Sequence, residues 1–261
     1  MKMTNNTILI TGGSSGIGLE LAAELLKRGN TVIVTGSDQS NLGAVRAKLP
    51  GLNTIQSDVS DPSAIRDLYE EVTAQYPNLN ILVNNAGIMR KINLHQTRSN
   101  LEGITREIEI NLNGTIWMVS QFLPHLKKQP AAAIVNVSSG LAFVPMAISP
   151  IYCATKAAIH AYTQALRMQL KNTRVAVFEL APPGTETPLF HGDFSDQDIG
   201  GFKPMPVEKL VSLAIAGIEK GTPEIRPGLS NVLKIMSRVA PNFIFKQLSR
   251  PVDHMLAESE N

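Results

Sequence analysis

Tyr152 and Lys156 stand four residues apart in the run Tyr-Cys-Ala-Thr-Lys. On a helix that spacing puts both on one face. A free tyrosine titrates near about 10, so it acts as a proton donor or acceptor near neutrality only with help. A neighbouring ammonium can give that help by stabilising the phenolate. Taken alone, such a pair is common on solvated helix faces. Ser138-Ser139-Gly140 follows the apolar run at 133–137. A hydroxyl there can donate to a carbonyl or alkoxide oxygen, although serine-rich loops more often close on their own backbone. Thr11-Gly12-Gly13-Ser14-Ser15-Gly16-Ile17-Gly18 sits between a β-rich run and a helical one. Missing Cβ atoms let a backbone approach a pyrophosphate, and a helix N-terminus stabilises its charge. The bland reading is a tight turn; the strand–turn–helix context favours nucleotide binding. Asn84-Asn85-Ala86-Gly87 and Asn111 singly read as turn and helix polar groups.

The elements that carry these residues alternate. Strand-like runs lie at 7–11, 31–35, 52–56, 81–83, 133–137 and 175–180. Helical spacing recurs at 16–28, 40–49, from about 60 to 76, 101–127, 152–170 and 207–220. Apolar strands alternating with helices predict an α/β fold, a doubly wound parallel sheet of Rossmann type in a single domain. The segment 181–206 is rich in Gly, Pro and polar residues and too long for an ordinary connection. The tail at 229–248 is apolar and basic, with helical spacing interrupted by Pro241. An amphipathic helix packed on the domain is its simplest reading; a subunit contact, a substrate lid or a membrane-surface segment are others.

The chain has 261 residues, 43% of them hydrophobic and 18% charged, which is globular and long enough for a full core. With 24 basic and 22 acidic residues the net charge is +2, so no broad nucleic-acid footprint is expected. Cys153 is the one cysteine, and no Cys/His spacing suggests a metal site. Cys153 reads as packing. His95, His125, His160 and His254 read as surface or helix polar groups, and Trp117 as core or interface. No run of about 18 apolar residues predicts a membrane span, and the N-terminus lacks a signal peptide's apolar core, so a cytoplasmic location without stable membrane insertion is expected.

Together the motifs resemble the short-chain dehydrogenase/reductase family in its compact form. They are TGGSSGIG at 11–18, Asp58-Val59, NNAG at 84–87, Asn111, Ser139 and Tyr152-x-x-x-Lys156, in the family's order and spacing. NNAGIMRKINL, NVSSGLAFVP and ELAPPGTETPL further resemble its DltE-like subgroup. The resemblance implies hydride transfer between a nicotinamide and a carbonyl or alcohol. It implies Tyr152 as the general acid/base and Lys156 as the residue that lowers its pKa and binds the nicotinamide ribose. Ser139 would hold the substrate oxygen and Asn111 would anchor a relay water. Gly12, Ser14, Ser15, Gly16, Ile17 and Gly18 match the cofactor's pyrophosphate loop. Asp58 and Val59 match adenine contacts, and Asn85, Ala86 and Gly87 the segment under the adenosine ribose. Pro182-Pro183-Gly184-Thr185-Glu186-Thr187 aligns with the family's Pro-Gly-x-x-x-Thr in two registers; the preferred one makes Thr187, not Thr185, the carboxamide-binding threonine. Residues 1–180 would then serve the cofactor and catalysis, and 181–261 the substrate.

The end of the second strand bears on NAD against NADP. It reads Thr35-Gly36-Ser37-Asp38. An acid there suits NAD, and a base suits the 2′-phosphate of NADP. Gly36 takes the acidic position, and Ser37 and Ser15 take the basic ones. Asp38 would repel a phosphate or else cap the next helix. Charge leans to NAD, the subgroup resemblance leans the other way, and the choice stays open here. Residues 139–150, 187–202 and the tail should enclose a small or medium apolar carbonyl, with Leu141, Phe143, Val144, Pro145 and Met146 as one wall and His191 as a possible substrate contact. The family's habit implies a homodimer or homotetramer. The alternatives are a non-catalytic NAD(P)-binding regulator or scaffold, which the intact Ser139, Tyr152 and Lys156 oppose, and a sugar-nucleotide epimerase or dehydratase, which suits longer chains.

Overall fold

A computed structural model describes residues 1–96, 101–199 and 203–257. Its strands are β1 (Thr7–Thr11), β2 (Thr31–Gly36), β3 (Asn53–Gln56), β4 (Leu79–Asn84), β5 (Ala132–Val137), β6 (Val175–Leu180) and β7 (Glu224–Ile225). They form one parallel sheet in the order β3-β2-β1-β4-β5-β6-β7. The strand order reverses between β1 and β4, and in such sheets ligands sit beyond the strands' carboxyl ends at that point. The two-residue β7 lies outside the sequence expectation, being too short to show a pattern.

Helices cover both faces, as buried parallel strands require. They are α1 (Gly16–Lys27), α2 (Gln39–Lys48), α3 (Pro62–Gln75), α4 (Leu101–Ile104), α5 (Gly114–Leu126), α6 (Pro150–Gln169), α7 (Asp196–Ile199), α8 (Val207–Glu219), α9 (Leu229–Val239), α10 (Pro241–Leu248) and α11 (Pro251–Ala257). Alternate residues of each strand enter opposite cores. Ile8, Ile10, Val32 and Val34 pack with Leu21, Leu25 and Ile215. Leu9, Ile33, Leu79 and Leu82 pack with Leu68, Val72 and Phe122. Full burial of each such side chain contributes about 1.5–3 kcal/mol.

The helix expected over 101–127 is not continuous. A π-helical turn, Ile108–Asn113, separates α4 from α5. It carries Asn111, whose Nδ2 donates to the Ile88 carbonyl while its Oδ1 accepts from the Ile88 amide (both 2.9 Å). Widened turns of this kind are frequent at functional sites. Asp38 resolves to a cap: its carboxylate accepts from the Asn41 amide at the start of α2.

Candidate active site

The carboxyl ends of β1, β2, β4, β5 and β6 open into a cavity of about 650 Å³. At one end lie Gly12, Ser14, Ser15, Gly16 and Ile17, at the start of α1. Gly12 and Gly16 have φ of +64° and +54°. A Cβ on Gly12 would stand 2.7 Å from the Ala86 Cα, so only glycine permits this close approach of loop and β4 segment. Thr11 ties the two together. Its Oγ1 accepts from the Asn85 and Ala86 amides (3.0 Å each), and Asn85 Nδ2 donates to the Thr11 and Gly12 carbonyls. Thr11 was not among the sequence candidates, because a threonine closing a strand has no distinguishing pattern.

Gly18 departs from its expected role. It does not line the cavity; a Cβ there would come 2.4 Å from the Gly12 carbonyl and 2.5 Å from Asn85 Nδ2. Its service is to the packing of loop on helix. The other candidate cofactor residues, Ser37, Asp58, Val59, Ala86, Gly87, Thr185 and Thr187, all line the cavity. Thr187 packs toward Gly16, 3.3 Å from where a Cβ would be, while the Thr185 hydroxyl donates to the Pro183 carbonyl.

Arg106 is a second residue that sequence reasoning missed. It reaches Asp58 across 48 positions (3.3 Å) and pairs also with Glu109 (2.9 Å). Asp58 bonds the Ser60 amide and hydroxyl as well, and these donors with Arg106 hold its carboxyl below the usual range despite partial burial. The corner at the end of β2 is made of Thr35, Gly36, Ser37, Ser14 and Ser15, all neutral.

At the other end Ser139, Tyr152 and Lys156 meet, all buried. The sequence gives α6 a proline in its first turn and puts Tyr152 and Lys156 on its inner face. Ser139 and Tyr152 both line this end of the cavity, and the Ser139 side chain acts to lower the Tyr152 phenol. The Lys156 Nζ donates to the Val137 carbonyl (2.9 Å) and lies 5.5 Å from the centre of the Tyr152 ring. Gly87 makes room for this: a Cβ there would stand 3.2 Å from Asn111 Oδ1 and 3.5 Å from Lys156 Nζ. Asn111 itself lies behind the cavity wall, bonded to Ile88 and Thr155. Burial pushes the Tyr152 phenol up and the Lys156 ammonium down to about 8. Desolvation of the phenolate is the largest influence on Tyr152 in the folded chain, and it acts upward.

Ser138, beside Ser139, is tied into a buried network. Its hydroxyl donates to Glu179 on β6, which also accepts from His160 Nδ1 (2.8 Å). His160 Nε2 lies 3.0 Å from the Nζ of Lys234 on α9. His160, read from sequence as a surface or helix polar group, is a polar residue of α6 that links sheet and tail. Among the described residues one group gathers three metal-ligand side chains, His160, Glu179 and Glu224. The Lys234 ammonium stands within it, 3.6 Å from Glu224.

One side of the cavity is largely apolar. Leu141 and Met146 line it with Leu189, Phe190 and Phe194, and with Leu229, Leu233 and Leu248 of the tail. Phe143, Val144 and Pro145 are not among its lining residues: Val144 is buried and Phe143 turns to His160 and Lys234. His191 stands exposed against Glu186, and Cys153 is buried on Met146, its thiol pushed up to about 11. Phe202 lies outside the described residues.

Residues 6–198 match the family model described as short chain dehydrogenase. The chain belongs to the short-chain dehydrogenase family. It is 44% identical over 249 residues to a protein named as the uncharacterized oxidoreductase DltE of Bacillus subtilis, covering 95% of this chain and 98% of that one. A Sphingobium yanoikuyae short-chain dehydrogenase structure in complex with NADPH is 28% identical, with TM-score 0.77, over 86% of this chain and 88% of that one. A Brucella melitensis 3-ketoacyl-(acyl-carrier-protein) reductase structure complexed with NADH is 26% identical, with TM-score 0.75, over 88% and 94%. No helix among the described residues is long and apolar enough to cross a membrane.

Proposed function

We propose that the protein is an NAD(P)-dependent oxidoreductase acting on an apolar carbonyl or secondary alcohol. One observation carries this reading: Tyr152, with Lys156 Nζ 5.5 Å from its ring centre, lines with Ser139 a cavity whose far end is a glycine cradle. The glycine loop and helix N-terminus suit a pyrophosphate, since a Cβ on Gly12 would close the approach. Gly12, Ser14, Ser15, Gly16 and Ile17 would hold it, with Asp58 and Val59 at the adenine and Thr187 at the nicotinamide end. A bound nicotinamide supplies or accepts the hydride.

The chain's own residues handle the proton. Ser139 orients the substrate oxygen toward the Tyr152 hydroxyl. In reduction, as hydride reaches the carbonyl carbon, the Tyr152 O–H bond breaks and its proton bonds to the substrate oxygen. The Tyr152 phenolate left behind is stabilised by the Lys156 ammonium, in a site where low dielectric strengthens that attraction. Oxidation reverses each move. The upward shift of Tyr152 keeps it protonated and so ready for reduction at neutral pH. Asn111 holds the Ile88 backbone beside Lys156, and a water on it would resupply the proton.

The corner of Ser14, Ser15, Gly36 and Ser37 favours NAD(H), because none of these residues is a cation to pair with a 2′-phosphate. The lone buried cysteine suits the reducing cytoplasm. Two or four copies would pair through helices such as α6, on which Met168 is 63% exposed. The test is Tyr152→Phe with a panel of apolar ketones and alcohols. Turnover should fall by about 10²-fold or more while cofactor affinity stays within a few-fold. Unchanged turnover would refute the role of Tyr152.

A further inference from the structure

The C-terminal helices present a surface that the active site does not use. In α9, Ser230 and Leu233 turn inward onto Gly140, and Lys234 is held by His160 and Glu224. That orientation leaves Val232, Ile235 and Val239 facing out, 47%, 53% and 75% exposed, within one sector of about 60°. In α10 no residue is buried, and Phe243 and Phe245 are 59% and 46% exposed. Phe243 and Phe245 stand about 200° apart around α10, so the helix exposes an aromatic ring on each side, and a soluble surface rarely exposes this many large apolar side chains on two adjoining helices.

Charge identifies what fits it. From Ile225 to Val252 the sequence holds five basic residues and no acid. Arg226 and Lys234 are used in pairs with Glu224. Arg238 on α9 and Lys246 on α10 are exposed, Arg250 is exposed at the cavity rim, and among the described residues none of the three forms an ion pair. Aromatic and aliphatic side chains collared by cations, on helices too short to span, match the interface of an anionic bilayer. The same segment borders the cavity, through Leu229, Leu233 and Leu248.

We propose that α9 and α10 dock the protein peripherally on an anionic lipid surface, with the apolar end of the cavity beside the bilayer. An apolar substrate dissolved in the membrane could then enter without crossing water. The docking rests on the surface alone; the entry route rests on the function proposed above.

The experiment is co-sedimentation of the full chain with vesicles of phosphatidylcholine alone or mixed with phosphatidylglycerol, with no cofactor or substrate added. Binding should require phosphatidylglycerol and weaken with salt. Arg238→Gln with Lys246→Gln should weaken it about thirtyfold, from the contribution of two surface cations. Phe243→Ser with Phe245→Ser should abolish it, and Leu213→Ser, at an exposed apolar site on α8, should leave it intact. Because α10 buries no residue, the serine variant should keep the wild-type melting temperature, which verifies folding. Light scattering should give the two proteins the same mass. Absence of vesicle binding at low salt overturns the proposal. So does a lower mass for the serine variant, which would assign the face to a second copy of the chain. Neither result bears on Tyr152 chemistry, which its own variant tests.

Discussion

Ser138 donates its hydroxyl to Glu179, a carboxyl group with no solvent exposure that stands immediately behind the residue next to Ser139. Glu179 also receives His160, so one buried group fixes the end of β5, helix α6 and, through Lys234, helix α9. Glu179→Gln replaces one carboxylate oxygen with an amide NH2 that faces donors. Leaving buried donors unpaired costs about 1–3 kcal/mol. Urea denaturation should show a loss of that size, with no change for the exposed Glu186→Gln. Equal stability of the Glu179 variant and the parent would remove this network from the account.

Lys156 makes stability depend on pH in a defined direction. Its ammonium is lowered from 10.5 to about 8 by burial. Between those values the unfolded chain holds this proton and the folded chain does not, so stability rises with pH across the window. The burden of burying the ammonium is full below about 8 and absent above 10.5. Lys156→Met abolishes that term. The unfolding free energy of the variant relative to wild type should therefore fall as pH rises through the window, measured without cofactor. A difference that stays flat would contradict the burial of a charged Lys156.

The same shift shapes the reduction rate. Tyr152 stays protonated through the neutral range, whereas Lys156 loses its charge near about 8. Carbonyl reduction should decline above that pH, because the phenolate then forms without its neighbouring cation. Stopped-flow rates across pH, with saturating cofactor, read this directly. A rate that climbs through the same range would mean that Lys156 is not the stabilising charge.

Ser37 is exposed at the neutral corner, so an arginine there displaces nothing. Ser37→Arg should move the ratio of NADP to NAD affinity toward NADP by roughly tenfold, the effect of one added cation near a phosphate. Nicotinamide fluorescence titration gives both affinities. An unchanged ratio would place the 2′ position elsewhere.

Much of this site is local in sequence. The glycine loop between β1 and α1, the pair Tyr152 and Lys156 on one face of α6, and Ser139 at the end of β5 follow from short-range spacing and strand–helix alternation. Those features also determined the sheet, because periods of two and 3.6 residues are written in the chain itself. The tertiary structure decided the rest. Glu179 meets Ser138 because β5 and β6 are neighbours in the sheet, and Arg106 meets Asp58, and His160 meets Glu179, because helical segments fold back over the sheet. The π-helical turn at Asn111 interrupts a pattern that reads as one helix, since the bond to Ile88 outweighs local preference. The direction of the Tyr152 and Lys156 shifts belongs to this second class as well. Residue type places an ammonium near a phenol, but only the depth of burial sets the desolvation that raises Tyr152 and lowers Lys156.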